Sequence, residues 1–312
     1  MSKIVHTLVK EICQEKKIDL EVLSYNWILK LTKNGKNHFI IGNSFDLNTK
    51  TTAIILNDKY ATYEVLKSVG VPVIEHKMLF LPDAKRYENE QGTFGEALQY
   101  FHEHNDNVVI KPNKWSEGKD IFHCTDSITL ERRLFSLFQK NFSVSICPFY
   151  KIKTEYRSFY LDGKIEFIYG KVKPVLKGDG VSTVEELLMK FNQHFPEKKV
   201  FRENLAESDL AYVPAKDEEF EFSWKFNLSG GAQVDLEVSD FARENIEKII
   251  HKISDALNLR FVTIDIIQDE NDEFRVMEIN AAVCFSQFIN LVPEGREIAK
   301  RIYAKAIDAI FK

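Results

Sequence analysis

The feature that most constrains the fold is a pair of apolar runs, FVTIDII and FRVMEIN, joined by the acidic stretch 268–273. Runs rich in β-branched and aromatic residues on either side of a turn predict an antiparallel strand pair. Side chains alternate along a strand, so each of these strands is expected to have one face that carries polar groups. The expected members of these faces are Thr263, Asp265 and Ile267 in the first strand and Val276, Glu278 and Asn280 in the second.

The polar side chains of this strand pair have two interpretations. Asp265 lies between Ile264 and Ile266, and an unpaired carboxylate among apolar neighbours is costly. Antiparallel neighbours bring Asp265 within reach of Glu278 and Asn280, and carboxylate and amide oxygens are ligands that suit Mg²⁺. An ordinary strand pair with one solvent-exposed face is the alternative.

Helical and strand patterns are mixed along the rest of the 312 residues. Helices are predicted at 3–16, from an Asp cap near 58 to Gly70, near 127–140, after a Ser182–Glu185 capping box, at 239–257 and at 294–311. Strands are predicted within 27–42, 107–113, 120–124 and 142–150, and on both sides of the turn Asp162-Gly163. Because no strict strand–helix–strand rhythm is present, the pattern favours an α+β fold of two or three packed subdomains.

Composition narrows the function classes. A hydrophobic content of 44% with 29% charged residues is typical of a globular protein. The net charge of −5 argues against general nucleic-acid affinity. The four cysteines include no CxxC pair, so neither a zinc site nor a disulfide framework is predicted. With no signal peptide and no apolar run long enough to span a membrane, we expect a cytoplasmic protein without nucleic-acid or membrane partners.

Several lysines lie where an anion would be favourable. Lys111 closes the apolar run NVVIKP, and the following turn offers donors at Ser116 and Gly118. Lys59 lies in the first turn of a predicted helix, where an anionic ligand would compensate its charge. Lys171 lies at the end of a predicted strand of apolar character. Each feature alone also fits a solvated lysine or a surface turn. Together with an acidic metal site, they favour a pocket for a nucleoside triphosphate.

The order of these motifs resembles the ATP-grasp superfamily of carboxylate–amine ligases. The strongest likeness is to the ligase portions of cyanophycin synthetase and bifunctional glutathione synthetase, and the ribosomal-protein glutamate ligases are more distant. The resemblance extends from about Asn57 to about Phe288. The motifs that carry it, in order, are NDKYATYEVLKSVGVPV, VVIKPNKWSEGKDI, EYRSFYLDGK, KGDGVSTVEELL, NLSGGAQVD, IDII and MEIN.

The resemblance implies a fold of two α+β lobes that hold ATP between them, preceded by a short N-terminal α/β segment. The implied division is 1–56 for that segment, 57–147 for the small lid lobe and 148–312 for the C-terminal lobe with its magnesium site. The implied contacts are Lys59 and Lys111 with the ATP phosphates, Ser116 and Gly118 in the phosphate lid, Phe149 and Lys151 at adenine, Glu155 at the ribose, Lys171 at the transferred phosphate, Lys225 and Asn227 beside an acyl phosphate, and Asp265, Glu278 and Asn280 as magnesium ligands.

The same resemblance implies an activity. ATP would convert a carboxylate to an acyl phosphate, and an amine would attack it to give an amide, ADP and phosphate. Implied cofactors are ATP and two Mg²⁺ ions, for which Mn²⁺ substitutes, and implied partners are a small carboxylate and a small amine, in a homodimer or homotetramer. A ligase that modifies a peptide through an amide or ester, and an ATP-binding scaffold without catalysis, are the alternatives.

Departures from the family pattern lie at the lid, the adenine site and the acceptor side. The lid has the single glycine Gly118, and Pro148 stands where a hinge glutamate is common. Thr263 and Ser223 stand at positions where relatives have arginine, and the residues after Asn280 read AAVCFSQF. The identity of the acid and of the amine is therefore not implied.

Overall fold

The computed structural model describes residues 3–80, 94–114, 120–193 and 205–312. Its helices are α1 Lys3–Lys16, α2 Lys50–Leu56, α3 Lys59–Ser68, α4 Phe94–Glu103, α5 Ser127–Phe138, α6 Val184–Gln193, α7 Glu207–Ala211, α8 Asp240–Leu257, α9 Ser286–Leu291 and α10 Gly295–Ile310, with a 3-10 turn at Leu228–Gly230. Its strands are β1 Asp19–Leu23, β2 Ile28–Lys33, β3 Lys36–Ile41, β4 Ser44–Phe45, β5 Lys77–Phe80, β6 Val108–Pro112, β7 Phe122–Cys124, β8 Ser143–Pro148, β9 Ile152–Leu161, β10 Lys164–Val172, β11 Val175–Lys177, β12 Glu219–Glu221, β13 Gln233–Asp235, β14 Phe261–Asp269 and β15 Phe274–Asn280.

The strands form four antiparallel sheets. Their orders are β1-β2-β3-β4, β5-β8-β6-β7, β13-β10-β9-β14-β15 and β11-β12. The predicted strand pair 260–280 is β14 and β15, and the pair around Asp162-Gly163 is β9 and β10. The predicted α+β class is confirmed, since antiparallel sheets and helices alternate without parallel crossover units.

Local sequence explains where the helices begin. Asp58 accepts a hydrogen bond from the backbone of Ala61 at the start of α3, and Ser239 caps α8 in the same way. The predicted Ser182–Glu185 capping box is wrong by one position. Thr183 and Glu186 exchange the two capping-box bonds at 3.2 and 2.9 Å, because the helix begins only at Val184.

The three largest apolar clusters among the described residues hold the sheets and helices together. The first joins α1 and the N-terminal sheet to α9, α10 and one face of the five-stranded sheet. The second packs α8, with α2 and α3, against the other face of that sheet. The third lies between the sheet β5-β8-β6-β7 and helices α4 and α5.

The candidate site lies between the sheet β5-β8-β6-β7 and the five-stranded sheet, and loops and strand ends of both line it. Ile74, which precedes β5, contacts the five-stranded sheet, because its backbone N–H donates to the carbonyl oxygen of Val276 at 2.9 Å. The division of the chain at residues 56 and 147 remains a prediction. Within the described ranges, the helices are too short or too polar to cross a membrane.

Candidate active site

The floor of the site is the face of the five-stranded sheet that carries the predicted metal ligands. Asp265 in β14 lies opposite Arg157 of β9 on one side and Glu278 of β15 on the other. Thr263 lies opposite Asn280 in the same strand pair. The register therefore brings Asp265, Glu278 and Asn280 side by side, while their role as ligands stays a prediction.

One of the predicted strand faces is wrong at a β-bulge. Asp265 is opposite Glu278 but Ile266 is opposite Val276, so Met277 is an extra residue in β15. Val276 packs in the cluster beneath α8, whereas Met277 and Glu278 line the cleft. Strict alternation placed Val276 with Glu278, and the extra residue turns it to the opposite face.

Lys59 enters the cleft from the first turn of α3. Its backbone N–H donates to the carbonyl oxygen of Asn113 at 3.2 Å, and the N–H of Tyr60 donates to the Asn113 side chain at 3.1 Å. Asn113 is fully buried and follows β6, the strand that contains Lys111. These bonds fix the two predicted phosphate-binding lysines relative to each other.

Burial and two neighbouring charges act on the side chain of Lys59. Its Nζ atom lies 3.7 Å from Oε1 of Glu278. Burial lowers the pKa of Lys59, and the charge of Lys111 adds to this, while Glu278 acts in the opposite direction. An anionic ligand between the two lysines would remove this electrostatic cost.

The cleft between the two sheets has an empty volume of about 890 Å³, open solvent included. Its polar wall contains Lys59, Lys111, Glu155, Lys225, Asn227 and Glu278. Its apolar wall includes Ile74, Val109, Ile121, Ile152 and Met277. A cleft with apolar walls and a cationic end suits an aromatic base that carries phosphates.

A network of buried charges lies beside the cleft. Arg157 donates from Nε to Oδ1 of Asp265 at 2.8 Å and from Nη2 to Oδ2 at 2.6 Å. Lys171 donates to Glu155 and, at 3.3 Å, to Oδ1 of Asp265. Lys171 is thus a buried partner of two carboxylates and does not line the cleft.

These contacts determine the protonation of the network. Burial works against the charged form of Asp265, but Arg157 and Lys171 outweigh it and hold the pKa of Asp265 at about 2. Burial and Arg157 oppose the charge of Lys171, yet Asp265 and Glu155 keep its pKa above the ordinary lysine value. Asp265 and Lys171 are therefore both charged at neutral pH.

Aromatic side chains form the end of the cleft where adenine was predicted. Phe149 stacks on His123 with ring centroids 3.9 Å apart, and Trp224 meets Phe149 edge-on at 5.6 Å. Phe149 and Trp224 line the cleft. The Nε2 atom of His123 lies 2.6 Å from Oδ1 of Asn107. The set offers stacking surfaces for a planar ring.

Lys151 and Lys225 differ in position. The Lys151 side chain is 73% exposed and lies 3.7 Å from Glu270, outside the cleft lining. Lys225 lines the cleft, with its Nζ atom 5.6 Å from the ring centroid of Trp224. Asn227 also lines the cleft and precedes the 3-10 turn Leu228–Gly230.

The donor set on the sheet fits a magnesium ion. Glu278 and Asn280 are partly exposed, and the contacts of the described residues leave one acceptor position of Asp265 Oδ2 unused. All three predicted ligands, Asp265, Glu278 and Asn280, offer oxygen atoms, as magnesium prefers. The described ranges contain no cluster of three or more histidine, cysteine or acidic side chains arranged to hold a metal. The predicted set has two carboxylates, and phosphate oxygens would complete it.

Two predicted residues, Ser116 and Gly118, lie outside the described residues. Three others were missed by sequence reasoning: Arg157, Trp224 and His123. Arg157 follows two residues after Glu155 and so shares its strand face, which was a usable signal. Trp224 and His123 had no such signal, because the contact between them joins segments about one hundred residues apart.

Comparison with known proteins identifies relatives of this chain by sequence. The chain is 30% identical over 185 residues to the glutathione biosynthesis bifunctional protein of Streptococcus mutans, a match that covers 57% of this chain and 23% of that protein. It is 24% identical over 282 residues to cyanophycin synthetase of a Synechocystis species, covering 81% of this chain and 30% of that protein. The chain thus spans less than a third of the length of these relatives. No protein-family model matches it.

Solved structures show the same fold. A bifunctional glutathione synthetase from Pasteurella multocida superposes with a TM-score of 0.56 at 19% identity, covering 97% of this chain and 44% of that one. The order of sheets, the cleft between them and the sequence similarity lead to one conclusion. The chain has the ATP-grasp fold and is related to the ATP-grasp carboxylate–amine ligases.

Proposed function

We propose that the protein is an ATP-dependent carboxylate–amine ligase that forms an amide through an acyl phosphate. The observation that carries this proposal is that Lys59, Lys111, Glu155 and Glu278 line one cleft between two sheets, with Asp265 beside Glu278. Cations for phosphates, a carboxylate for sugar hydroxyls and oxygen ligands for a metal are the groups that bind a nucleoside triphosphate. The relatives named above are synthetases or biosynthetic proteins.

The residues of the cleft have distinct roles in this proposal. Lys59 and Lys111 hold the phosphates, and their charge stabilises the phosphoryl group as it is transferred. Glu155 accepts hydrogen bonds from the ribose, and Phe149 contacts the base. Asp265, Glu278 and Asn280 would hold magnesium, which neutralises charge on the β- and γ-phosphates of the nucleotide.

The second half of the reaction belongs to the side of the cleft that contains Lys225 and Asn227. A carboxylate is a poor electrophile because oxide is a poor leaving group, whereas the carbonyl of an acyl phosphate loses phosphate readily. Lys225 stabilises the charge on the acyl phosphate, and Asn227 orients it. Lys171, held by Glu155 and Asp265, supplies positive charge behind the transferred phosphoryl group.

The finer assignments are part of the same proposal. The substrates are a small carboxylate and an amino acid or short peptide as the amine. Two magnesium ions, replaceable by Mn²⁺, and a homodimer or homotetramer in the cytoplasm are expected from the family resemblance. Lys151, which lies outside the cleft lining, is not assigned to adenine.

The first experiment measures phosphate release from ATP and Mg²⁺ across a panel of amino acids, short peptides and dicarboxylates. Hydroxylamine in each reaction traps an acyl phosphate as a hydroxamate even where the correct amine is missing. Release that depends on one carboxylate, with the matching hydroxamate, supports the proposal. A protein that binds no ATP contradicts it.

Glu278→Gln tests the metal assignment in the same assay. Loss of a carboxylate ligand is expected to lower the rate of phosphate release by about 100-fold or more, since each 1.4 kcal/mol of lost stabilisation costs a factor of ten. Glu270→Gln is the matched control, because Glu270 is exposed and pairs with Lys151 outside the cleft. Equal rates for the two variants would exclude Glu278 as a metal ligand.

A further inference from the structure

Arg157 has no role in the proposal above, yet it makes the most complete contact to the predicted metal ligand Asp265. Its side chain is 26% exposed while that of Asp265 is 1% exposed. The contact uses both oxygens of the carboxylate and two nitrogens of the guanidinium. Such a two-point contact fixes the plane of a carboxylate as well as its position.

The hydrogen bonds to Asp265 leave few acceptor positions on its carboxylate for a metal ion. An ionised carboxylate has about four acceptor positions. Oδ1 accepts from Arg157 and from Lys171, and Oδ2 accepts from Arg157. In the described part of the chain, one position on Oδ2 therefore remains, which permits one-point coordination and prevents two-point coordination.

The charges on this face of the five-stranded sheet also disfavour the binding of a free cation at Asp265. Arg157 and Lys171 balance the negative charges of Glu155 and Asp265. Glu278, the next carboxylate along the row, lies 3.7 Å from Lys59. Among the described residues, the charged side chains that line the cleft are Lys59, Lys111 and Lys225 with Glu155 and Glu278. A free divalent cation would approach a positive region, whereas phosphates of a nucleotide would reverse its sign.

We infer that Arg157 is a positioning residue that, together with Lys171, occupies and neutralises Asp265, so that a divalent cation binds at this carboxylate only together with nucleotide phosphates. This inference rests on the proposed function. The phosphates of the nucleotide supply the negative charge that attracts the cation. Because Arg157 fixes the carboxylate of Asp265, the one remaining lone pair of Oδ2 is available to that cation. The metal site is thus completed by the ligand and is not preformed.

Electron paramagnetic resonance of Mn²⁺ tests the inference without measuring activity, because the signal of free Mn²⁺ falls as the ion binds. The analogue itself binds Mn²⁺ in solution, so each titration is corrected by one with the same analogue concentration and no protein. We expect the wild-type protein to bind Mn²⁺ at least tenfold more tightly in the presence of a non-hydrolysable ATP analogue than in its absence. Arg157→Gln removes the charge and the two-point contact. It is expected to bind Mn²⁺ without nucleotide at least tenfold more tightly than the wild type.

Two further variants separate charge, geometry and folding. Arg157→Lys keeps the charge but makes at most a one-point contact, so it should still exclude free Mn²⁺ and should bind Mn²⁺ with the analogue about tenfold more weakly. Arg260→Gln is the matched control, since Arg260 makes the same two-point contact to Asp162 at 2.8 and 2.7 Å, on the surface. It should bind Mn²⁺ as the wild type does. If Arg157→Gln does not fold, Arg157→Lys alone decides.

The outcomes are distinguishable. Equal Mn²⁺ affinity with and without the analogue in the wild type, or no gain in Arg157→Gln, overturns the inference while nucleotide binding stays intact. Absence of analogue binding to the wild type, measured separately by calorimetry, overturns the proposed function itself. A fall in thermal stability of Arg157→Gln with unchanged Mn²⁺ binding would show that Arg157 has only a structural role, and would also overturn the inference.

Discussion

His76 shows at the scale of one residue how the cationic end of the cleft affects its surroundings. It is 3% exposed, and its Nδ1 atom lies 2.7 Å from Oγ of Ser145. Burial lowers the pKa of His76 well below its ordinary value, and the charges of Lys111 and Lys59 lower it further. His76 is therefore neutral in the folded protein at neutral pH.

This state predicts a pH dependence of stability. An unfolded histidine has a pKa of about 6.5, so the unfolded chain takes up a proton below that pH while folded His76 does not. The contribution of neutral His76 to the free energy of unfolding is thus fully present well above pH 6.5 and is lost as the pH falls below that value. Between pH 7.5 and 5.5 the wild type should lose about 1.4 kcal/mol more free energy of unfolding than His76→Gln, measured by denaturant titration. Equal losses would show that His76 is protonated in the folded state.

At the scale of elements, the two-stranded sheet β11-β12 depends on one glycine. Gly178 donates its N–H to Glu218 at 2.8 Å and accepts from Asp217 at 2.9 Å. A Cβ atom at Gly178 would lie 2.1 Å from the carbonyl oxygen of Ala215, closer than real contacts allow. Since this two-stranded sheet carries part of the small cluster of Leu176 and Phe222, backbone movement there loosens that cluster.

Gly178→Ala should therefore destabilise this part of the chain. The backbone has to move to admit the methyl group, at a cost of about 1–3 kcal/mol. Hydrogen exchange at the amides of α6 and β12 should become faster. Gly230→Ala is the control, because the nearest atom to its added Cβ is 3.7 Å away. Similar exchange rates in the two variants would contradict this packing argument.

At the scale of the whole molecule, the cleft joins two sheets with separate cores. Lys111 is 8% exposed and belongs to the sheet β5-β8-β6-β7, whereas Glu278 belongs to the five-stranded sheet. A ligand that contacts both is bound only while both sheets are folded and face each other. Binding should therefore stabilise the entire fold.

An ATP analogue with Mg²⁺ at a hundred times its Kd should raise the free energy of unfolding by about 2.7 kcal/mol, measured by denaturant titration. In Lys111→Ala the same ligand concentration should give a smaller increase, because a phosphate contact is lost. Lys151→Ala should respond as the wild type does, since its side chain lies outside the cleft lining. Identical increases in all three proteins would exclude Lys111 from phosphate binding.

Sequence patterns correctly predicted the strand pair of β14 and β15, the Asp58 cap of α3, the extent of α8 to within one residue, and the neighbourhood of Asp265, Glu278 and Asn280. Each of these depends on interactions between residues that are near in sequence or joined by one turn, and alternation and capping describe such interactions well. The α+β class followed from the same local patterns.

The remaining features depend on contacts between residues that are distant in sequence. The bulge at Met277 depends on how β14 and β15 pair, and an alternating pattern in the sequence does not predict an extra residue in one strand. Arg157 and Asp265 are 108 residues apart, and they meet because β9 pairs with β14. Lys171 is a buried ion-pair partner for the same reason, because β10 pairs with β9. Charges that are distant in sequence become paired only when the sheet forms, since burial makes an unpaired charge costly and removes water as an alternative partner.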